Sequence, residues 1–442
     1  MGQSCPHRLD ALFSSAAHCI SNRSKDPQMP PLNTAGGNSY GDNFDTLTKS
    51  QVPTELSQLA QDLDALRAKL VAETKADNGR ADRRHLAKIH VARWLCVIAG
   101  VGSAWTCVNP GSAFLISMFR FVSWSMCAHH ILHRGYDGVP GIPAQWTSGR
   151  YARGWRRWVD WPDWIWPDAW IQEHNTLHHY KLCETHDPAL YHVALGDPDL
   201  VEFNMEWLRK SAAPWPVKYV YIFVMACIWK FLYYAPNTLH AWLLKKDPAR
   251  KLPKALDWAF IQPFGSTGRM LWTKCYLPYV ALNFVAIPAA FLLVSRDAAR
   301  NVLLNMVVAE VMTNLHAFVT IVTNHAGDDL HRYSEPLSPQ MTRHDFYCRQ
   351  IMGSVNFPCG SDFIDTMHGY LNYQIEHHLW PDMTMLQYRK AQPLVKALAA
   401  KYGVSYVQEN ALLRTLKTVR IMAGLSSQKR LPNTVNIGRA PQ

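Results

Sequence analysis

Residues 374–381 read Gln-Ile-Glu-His-His-Leu-Trp-Pro, and the rest of the chain is organised around this stretch. On a helix, positions 374, 377 and 378 share one face, so an amide and two imidazoles point in the same direction. Adjacent histidines suit an apolar core poorly, because each ring carries a polar nitrogen that needs a partner. If this motif stood alone, its histidines could be explained as a surface pair without a function. Two further histidine clusters favour a functional role.

The two further clusters precede this stretch. Residues 129–133 read His-His-Ile-Leu-His, and residues 174–179 read His-Asn-Thr-Leu-His-His. Spacings of three to five residues allow one helix to present imidazoles to one metal ion or to two neighbouring ions. On an α-helix, His174 and His178 share a face while His179 lies about 100° further round, which suits a helix that serves both ions of a pair.

The number of histidines narrows the choice of metal. Imidazole favours Zn, Cu, Fe and Ni over Mg and Ca. A structural zinc site needs only four ligands, commonly including cysteine, so it does not explain eight or more histidines. Two redox-active irons do explain them. The sequence therefore predicts a metal centre built by the three clusters.

Composition indicates a membrane protein with a sizeable polar part. The 442 residues are 48% apolar and 12% aromatic, and the mean hydropathy is −0.15. The net charge of +11 could suggest nucleic acid, but no arginine-rich or zinc-knuckle signature accompanies it. A positive cytoplasmic face against anionic lipid explains the charge more simply. We therefore expect membrane lipid, and no nucleic acid, as a partner.

Apolar segments predict an all-α integral membrane fold with four transmembrane helices in two hairpins. A fifth segment, 217–235, contains Lys218 and Lys230. Three crossings between the second and third histidine clusters would place these clusters on opposite faces, so we assign this segment to the membrane surface. A cytosolic helical cap is then expected to hold the metal site. The predicted spans are about 92–108, 112–128, 277–294 and 302–324.

The remaining regions are polar. Residues 1–85 are rich in Ser, Asn, Gly and Pro, which predicts a largely disordered region. Within it, leucines in a 3-4-3-4 spacing predict an amphipathic helix over 54–75. The membrane domain is predicted to cover 86–405, and a basic C-terminal tail to cover 406–442.

At these residues the sequence resembles the membrane-bound fatty acid desaturases, which carry three histidine boxes. H-x3-H, H-x3-HH and QIEHHLWP occur in the family's order and spacing, and the match runs from about 91 to about 405. The resemblance implies an oxidoreductase with two non-haem Fe ions. Such an enzyme uses O₂ and two electrons to introduce a C=C bond into the acyl chain of a fatty acid or acyl lipid.

The resemblance also implies a set of metal ligands. A histidine at the end of the last membrane helix belongs to the family's set, and His325 occupies that place. Gln374 stands where many relatives have a third histidine, which resembles the front-end branch of the family. It is a possible metal ligand or a group behind the ligands, as are His130, His316, His368 and His186. The implied ligands are His129, His133, His174, His178, His179, His325, His377 and His378.

Partners and location follow from the same resemblance. Many front-end desaturases carry a fused cytochrome b5 domain with the motif His-Pro-Gly-Gly, which does not occur here. Electrons are therefore expected from a separate donor, either ferredoxin or cytochrome b5 with its reductase. The substrate is expected to be an acyl-CoA, an acyl carrier protein thioester or an acyl lipid. The active site is expected on the cytosolic face of the endoplasmic reticulum membrane in a eukaryote, or of the inner membrane in a bacterium.

Other activities are compatible with the same residues. A related di-iron centre can hydroxylate an acyl chain, form an alkyne, or decarboxylate a fatty acid to a terminal alkene. A more distant alternative is a histidine-rich membrane metal transporter. Transporters place their ligands inside the helices near the middle of the membrane, whereas these clusters lie at helix ends and in polar loops.

Overall fold

The computed structural model describes residues 54–185, 196–333 and 342–431, with side chains from residue 58 onward. The first element is a helix over Thr54–Ala76, which agrees with the predicted amphipathic helix. Leu59, Leu63 and Leu70 are buried on one face because their spacing places them on a single stripe. This helix packs against the helix Met385–Lys401. The predicted disorder of 1–53 lies outside the described residues.

In the part of the chain that the structure describes, four helices are long and apolar enough to cross a membrane. Span 1 begins earlier than predicted, and the region up to 85 is helical from residue 54 apart from a short turn at 77–79. The reason is that buried Asp82 accepts a hydrogen bond from Thr74, which packs the polar start of span 1 against protein. The four are span 1 (Arg80–Ala104), span 2 (Pro110–Leu132), span 3 (Ser266–Leu293) and span 4 (Arg296–His325).

Short helical segments fill the polar region between spans 2 and 3. Two longer helices there, Trp215–Ala226 and Lys230–Lys246, are bent by 78° relative to each other. They contain the segment that the sequence assigns to the membrane surface, and they make a fifth candidate span if the bent pair is one span. The shorter segments are Ala144–Trp146, Gly154–Arg156, Arg157–Asp160, Pro167–Trp170, Ile171–His178, Val201–Asn204, Glu206–Lys210 and Trp258–Ile261.

After span 4 the chain forms helices and two small parallel sheets. Strand β1 (His331–Tyr333) pairs with β4 (Lys429–Leu431), and β2 (Val355–Asn356) pairs with β3 (Val407–Gln408). The helices are Arg343–Met352, Asp362–Met367, Leu371–Tyr373, Gln374–Leu379, Met385–Lys401 and Ala411–Met422.

Residues 406–431, which the sequence predicts to be part of a basic tail, form a helix and two short strands. These elements are β3, the helix Ala411–Met422 and β4. Arg414 is fully buried and forms ion pairs with Asp329 and Glu409, so the basic residues of this region serve packing as well as charge. Residues 432–442 lie outside the described residues.

Candidate metal centre

The histidine clusters lie at the ends of spans and on short helices next to them. In span 2, a π-helical turn over Ser123–Ala128 immediately precedes the first cluster. The second cluster lies on the π-helical segment Ile171–His178. The third lies on the helix Gln374–Leu379, and His325 is the last residue of span 4. π-helical turns are rare and occur often at functional sites.

The eight predicted ligands fall into two buried groups in which the candidate ligand atoms lie within 4.8 Å of one another. Neighbouring residues are divided between the groups: His178 and His179 separate, and so do His377 and His378. The first group contains His129, His133, His174, His179 and His377, and the second contains His178, His325 and His378.

The second cluster does not follow the α-helical expectation. His179 donates its backbone N–H to the carbonyl of His174, five positions earlier, at 3.2 Å. This wider turn places the side chains of His174 and His179 together in the first group. His178 belongs to the second group, although one of its ring nitrogens also lies within 4.8 Å of one in His174. One helix still contributes to both groups, but with a different division of its histidines.

Ring nitrogens approach one another closely within and between the groups. Nε2 of His129 lies 2.7 Å from Nε2 of His377. Between the groups, the rings of His179 and His378 stack with centroids 4.1 Å apart. Two such nitrogens meet favourably only if one carries a proton or if both bind the same cation. The two histidine groups therefore bring the lone pairs of several imidazole nitrogens close together.

Several of these nitrogens have no hydrogen-bond partner among the described residues. They include both ring nitrogens of His174 and His179, Nε2 of His133 and Nε2 of His378. A buried polar atom without a partner costs about 1–3 kcal/mol. Burial also lowers the pKa of His174 and His179 well below the ordinary value, and neighbouring histidines lower it further. Neutral imidazoles with unused lone pairs are the form that binds metal, so the residues fit a metal site.

Groups behind the histidines set the orientation of their rings. Nδ1 of His325 donates to the carbonyl of Gly353 at 3.0 Å. Nδ1 of His378 donates to Oε1 of Gln350 at 3.1 Å, and Gln350 in turn donates to the carbonyl of His179. These bonds orient the rings of His325 and His378 so that Nε2 of each faces the other histidines of the second group. Such outer contacts fix the tautomer and orientation of metal-binding histidines.

A carboxylate holds His178 in the same way. Oδ1 of buried Asp197 lies 3.0 Å from Nδ1 of His178, while its Oδ2 accepts the backbone N–H of Cys183 at 2.8 Å. Burial opposes the charged form of His178, but Asp197 and then Asp199 outweigh it and raise the pKa of His178. The pKa of Asp197 is lowered in spite of its burial, because of His178.

Two further carboxyl groups lie beside this pair. Asp199 joins His174 and His178 in a third set of candidate ligand atoms. Burial, with Asp197 adding to it, raises the pKa of Asp199 to about 6. Burial raises the pKa of Glu173 well above its ordinary value, and Asp199 and Asp197 raise it further. Burial therefore favours the neutral form of the Glu173 carboxyl.

Gln374 lies beside the second group. Its Nε2 is 2.9 Å from Nε2 of His325, and its Oε1 has no hydrogen-bond partner within 54–185, 196–333 and 342–431. The side chain is buried and lines a cavity next to the histidines. The amide thus occupies a position from which it can contact an ion held by the three histidines of this group.

The other possible site residues lie outside both groups. His130 is buried with its ring 5.7 Å from that of Tyr388. Nε2 of His316 bonds the carbonyl of Met367 at 2.6 Å, and Nδ1 of His368 bonds the carbonyl of Ile364 at 2.9 Å. These contacts give the last two rings structural partners. His186 lies in 186–195, outside the described residues.

A cavity of about 260 Å³ leads away from the histidines. His129, His174, His178 and His325 line its inner end. Its remaining walls are largely apolar and aromatic, with Trp229, Met225, Phe318 and Ile321 among them. Ligand sites of this size and character accept apolar molecules and orient them with a few polar groups.

Sequence reasoning missed most of the outer contacts. The sequence 197–199, Asp-Pro-Asp, follows the second cluster closely enough to attract attention, but its pairing with His178 depends on a turn that the sequence does not specify. Gln350 gives no local signal, because a glutamine on a polar helix is usually exposed. Its contact with His378 joins residues that are far apart in the chain.

Comparison with known proteins identifies the family. The profile described as "Fatty acid desaturase" matches residues 103–410, well over half of the chain. Fatty acid desaturase 3 of Bos taurus is 33% identical over 159 residues, which cover 34% of this chain and 30% of that protein. The NADPH-dependent stearoyl-CoA 9-desaturase of Mycobacterium tuberculosis is 30% identical over 144 residues, covering 33% and 34% respectively.

The aligned segments thus span about a third of the length of these relatives. No solved structure matches the chain. The family profile, however, contains all three histidine clusters and the whole of candidate spans 2, 3 and 4. The chain is therefore a membrane protein that belongs to the fatty acid desaturase family.

Proposed function

We propose that this protein is an O₂-dependent desaturase that introduces a C=C bond into the acyl chain of a fatty acid or acyl lipid. The observation that carries the proposal is the pair of buried histidine groups at the inner end of an apolar cavity. Membership of the fatty acid desaturase family supports it. A metal centre next to an apolar cavity can oxidise a chain that has no reactive group of its own.

Two iron ions are the proposed cofactor. The five histidines of the first group would hold one ion, and His178, His325 and His378 would hold the other, with Gln374 as a possible further ligand. Bound iron would supply the activation of O₂ and the redox equivalents needed to remove two hydrogens. Iron is proposed over zinc because imidazole-rich sites accept both but only iron carries out this redox chemistry.

The protein's own residues would position these groups and exclude water. Asp197, Gln350 and the Gly353 carbonyl hold three rings of the second group so that their other nitrogens face inward. The apolar wall of the cavity would hold the acyl chain against the histidines and keep bulk water away. Geometry that is held by outer contacts needs little rearrangement when the substrate binds.

The membrane arrangement is proposed to be multi-pass, with the histidines on the cytosolic side. The loops 105–109 and 294–295, which join spans 1 and 2 and spans 3 and 4, contain no Lys or Arg, whereas the polar regions on the histidine side contain many. This distribution supports the orientation, since cytosolic regions of membrane proteins carry an excess of Lys and Arg. Electrons are proposed to come from a separate donor, ferredoxin or cytochrome b5 with its reductase. A basic surface attracts an acidic donor of this kind.

The test combines metal content with product analysis. His377→Ala and His378→Ala should each remove iron and desaturation together, because each removes a proposed ligand. His368→Ala is the matched control: it removes a half-buried ring that bonds the Ile364 carbonyl and lies against Phe357, outside both histidine groups, and it should leave both iron and activity unchanged.

Products should be identified by gas chromatography and mass spectrometry in a host of defined lipid composition. Unsaturated chains are the expected product, whereas hydroxylated chains or terminal alkenes would assign a different reaction to the same centre. Full desaturation by either alanine variant would contradict the proposed ligands. Stoichiometric zinc in an active preparation would contradict the proposed metal.

A further inference from the structure

The helix Ala411–Met422 has its polar side inward. Arg414 is fully buried, and its guanidinium binds Asp329 at 2.6 Å and Glu409 at 2.9 Å. Thr418, also fully buried, donates its hydroxyl to the carbonyl of Ala326 at 3.1 Å. A helix on a water-exposed surface shows the opposite arrangement, with polar residues outward.

The outward side of the same helix is apolar. Leu412, Leu413 and Leu416 are 68%, 54% and 62% exposed. Arg420 is exposed beyond them, and Leu425 continues the apolar surface after the helix ends. Contiguous exposed apolar surface next to basic residues is typical of a helix that lies in a membrane interface.

This surface continues onto the helix Trp215–Ala226. Lys218 joins the two helices by donating to the carbonyls of Ala423 at 3.2 Å and Arg209 at 3.0 Å. Its charge is thereby turned away from the outward side. The outward side of Trp215–Ala226 is apolar and aromatic. Its large exposed side chains are those of Trp215, Val217, Val220, Tyr221, Phe223 and Val224.

The helix Ala411–Met422 also lies at the level of a membrane boundary. Ala326, which accepts the bond from Thr418, directly follows the end of span 4. Gln428 donates to the carbonyl of His325, the last residue of that span, at 3.0 Å. Exposed Trp207 and Trp215 flank the same surface, and tryptophan is enriched where a protein meets the headgroups.

The cavity described above reaches this surface. Trp207 and Tyr221, both exposed, line the cavity together with Met422 at the end of the C-terminal helix. The opposite end is lined by histidines of both groups. The apolar surface and the metal centre are therefore connected by one cavity.

We propose that the outward faces of Ala411–Met422 and Trp215–Ala226 are embedded in the bilayer interface. We further infer that an acyl chain of a lipid resident in the bilayer enters the cavity between Trp207, Tyr221 and Met422. The membrane contact is independent of catalysis, whereas the entry of an acyl chain rests on the proposed function. The occupant of this surface is thus membrane lipid, and the substrate is taken from within the membrane.

The membrane contact is tested with a nitroxide at Leu416→Cys in the full-length protein, in nanodiscs of phosphatidylcholine and phosphatidylglycerol. The control is Lys69→Cys, an exposed position on the helix Thr54–Ala76. The signal of the labelled parent protein, which retains its native cysteines, is subtracted. The label at 416 should collide more with O₂ than with a water-soluble nickel chelate, and the label at 69 should do the reverse. Equal access of the chelate to both would overturn the proposal.

The entry route is tested with Met422→Trp, which narrows the cavity at its surface end. Iron content reports whether this variant folds. Conversion of phospholipid acyl chains in the nanodisc should fall several-fold at unchanged iron content, and unchanged conversion would overturn the route. If the parent protein holds iron but oxidises no acyl chain, the proposed function fails, while the nitroxide result still decides the membrane contact.

Discussion

Two buried polar clusters in this molecule differ in how their atoms are satisfied. Within the described part of the chain, the histidine groups leave ring nitrogens without hydrogen-bond partners. The second cluster is formed by four residues of the spans and by Trp164 from the region between spans 2 and 3, and we call it the Glu310 cluster. The four residues of the spans are Glu310, Arg120, Tyr279 and Asn314. There, both carboxylate oxygens of Glu310 have partners. Oε1 accepts a hydrogen bond from Trp164 at 2.6 Å, and Oε2 accepts one from Tyr279 and forms an ion pair with Arg120.

The difference separates a structural role from a ligand-binding one. Polar groups inside a membrane are often functional, and Glu310 with Asn314 and His316 forms a polar stripe along span 4. The contacts of the Glu310 cluster satisfy its charges within the protein, so no ligand is needed to explain it. In the histidine groups the unused lone pairs converge, and an added cation is what would satisfy them.

The largest effect on stability is expected from Glu310→Ala. This change leaves Arg120 buried without its carboxylate, which should reduce the free energy of unfolding by about 3–5 kcal/mol. Equilibrium unfolding in mixed detergent micelles measures it. His179→Ala is the matched control in metal-free protein: it should not destabilise the fold comparably, because the ring it removes has no hydrogen-bond partner among the residues that the structure describes.

A double variant sharpens this result. Arg120→Met combined with Glu310→Leu removes both charges and should recover most of the lost stability. If Glu310→Ala instead lowered metal content while leaving stability unchanged, the Glu310 cluster would have to be reassigned to the metal centre.

An intermediate effect is expected from Gln350→Met. Methionine has a similar size but cannot accept the N–H of His378, so metal affinity should fall about 10–100-fold. Metal titration of the purified protein with a competing chelator measures it. Gln387→Met is the control, because Gln387 is also buried but bonds Thr74 instead of a histidine. Equal losses in both variants would attribute the effect to general disturbance of the fold.

The smallest effect is expected from His316→Phe. The new ring can keep the stacking on Phe121 but loses the bond to the Met367 carbonyl, so stability should fall by about 0.5–1.5 kcal/mol. Iron content, measured by mass spectrometry of the metal, should stay at the parent level. A clear loss of iron would place His316 in the metal centre after all.

Much of the helical framework could be predicted from the sequence. Apolar runs and histidine spacings are local patterns, and a helix forms wherever such a pattern repeats over several turns. The leucine spacing gave the helix Thr54–Ala76 almost to the residue. Boundaries were less accurate: span 1 starts at Arg80 because contacts with the remote Thr384 and the nearby Thr74 support polar turns that the apolar pattern does not include.

Two features of the structure could not be predicted from the sequence, and the reason is the same for both. The inverted helix Ala411–Met422 looks like part of a basic tail, since nothing in its sequence states that Arg414 will meet Asp329. The π-helical turn that divides His178 from His179 likewise depends on packing, because periodicity alone predicts an α-helix. Both depend on contacts between residues that are distant in sequence or on the geometry that those contacts impose.

The sequence by itself determined the chemistry that the chain can offer: helical segments that carry imidazoles at spacings suited to metal binding, beside apolar segments long enough for a membrane. Only the tertiary structure decided which imidazoles meet, which carboxylate or amide holds each ring, and where the cavity opens. The physical reason is that residue type and periodicity are local properties. The partners of a buried polar atom, in contrast, are set by the packing of the whole chain.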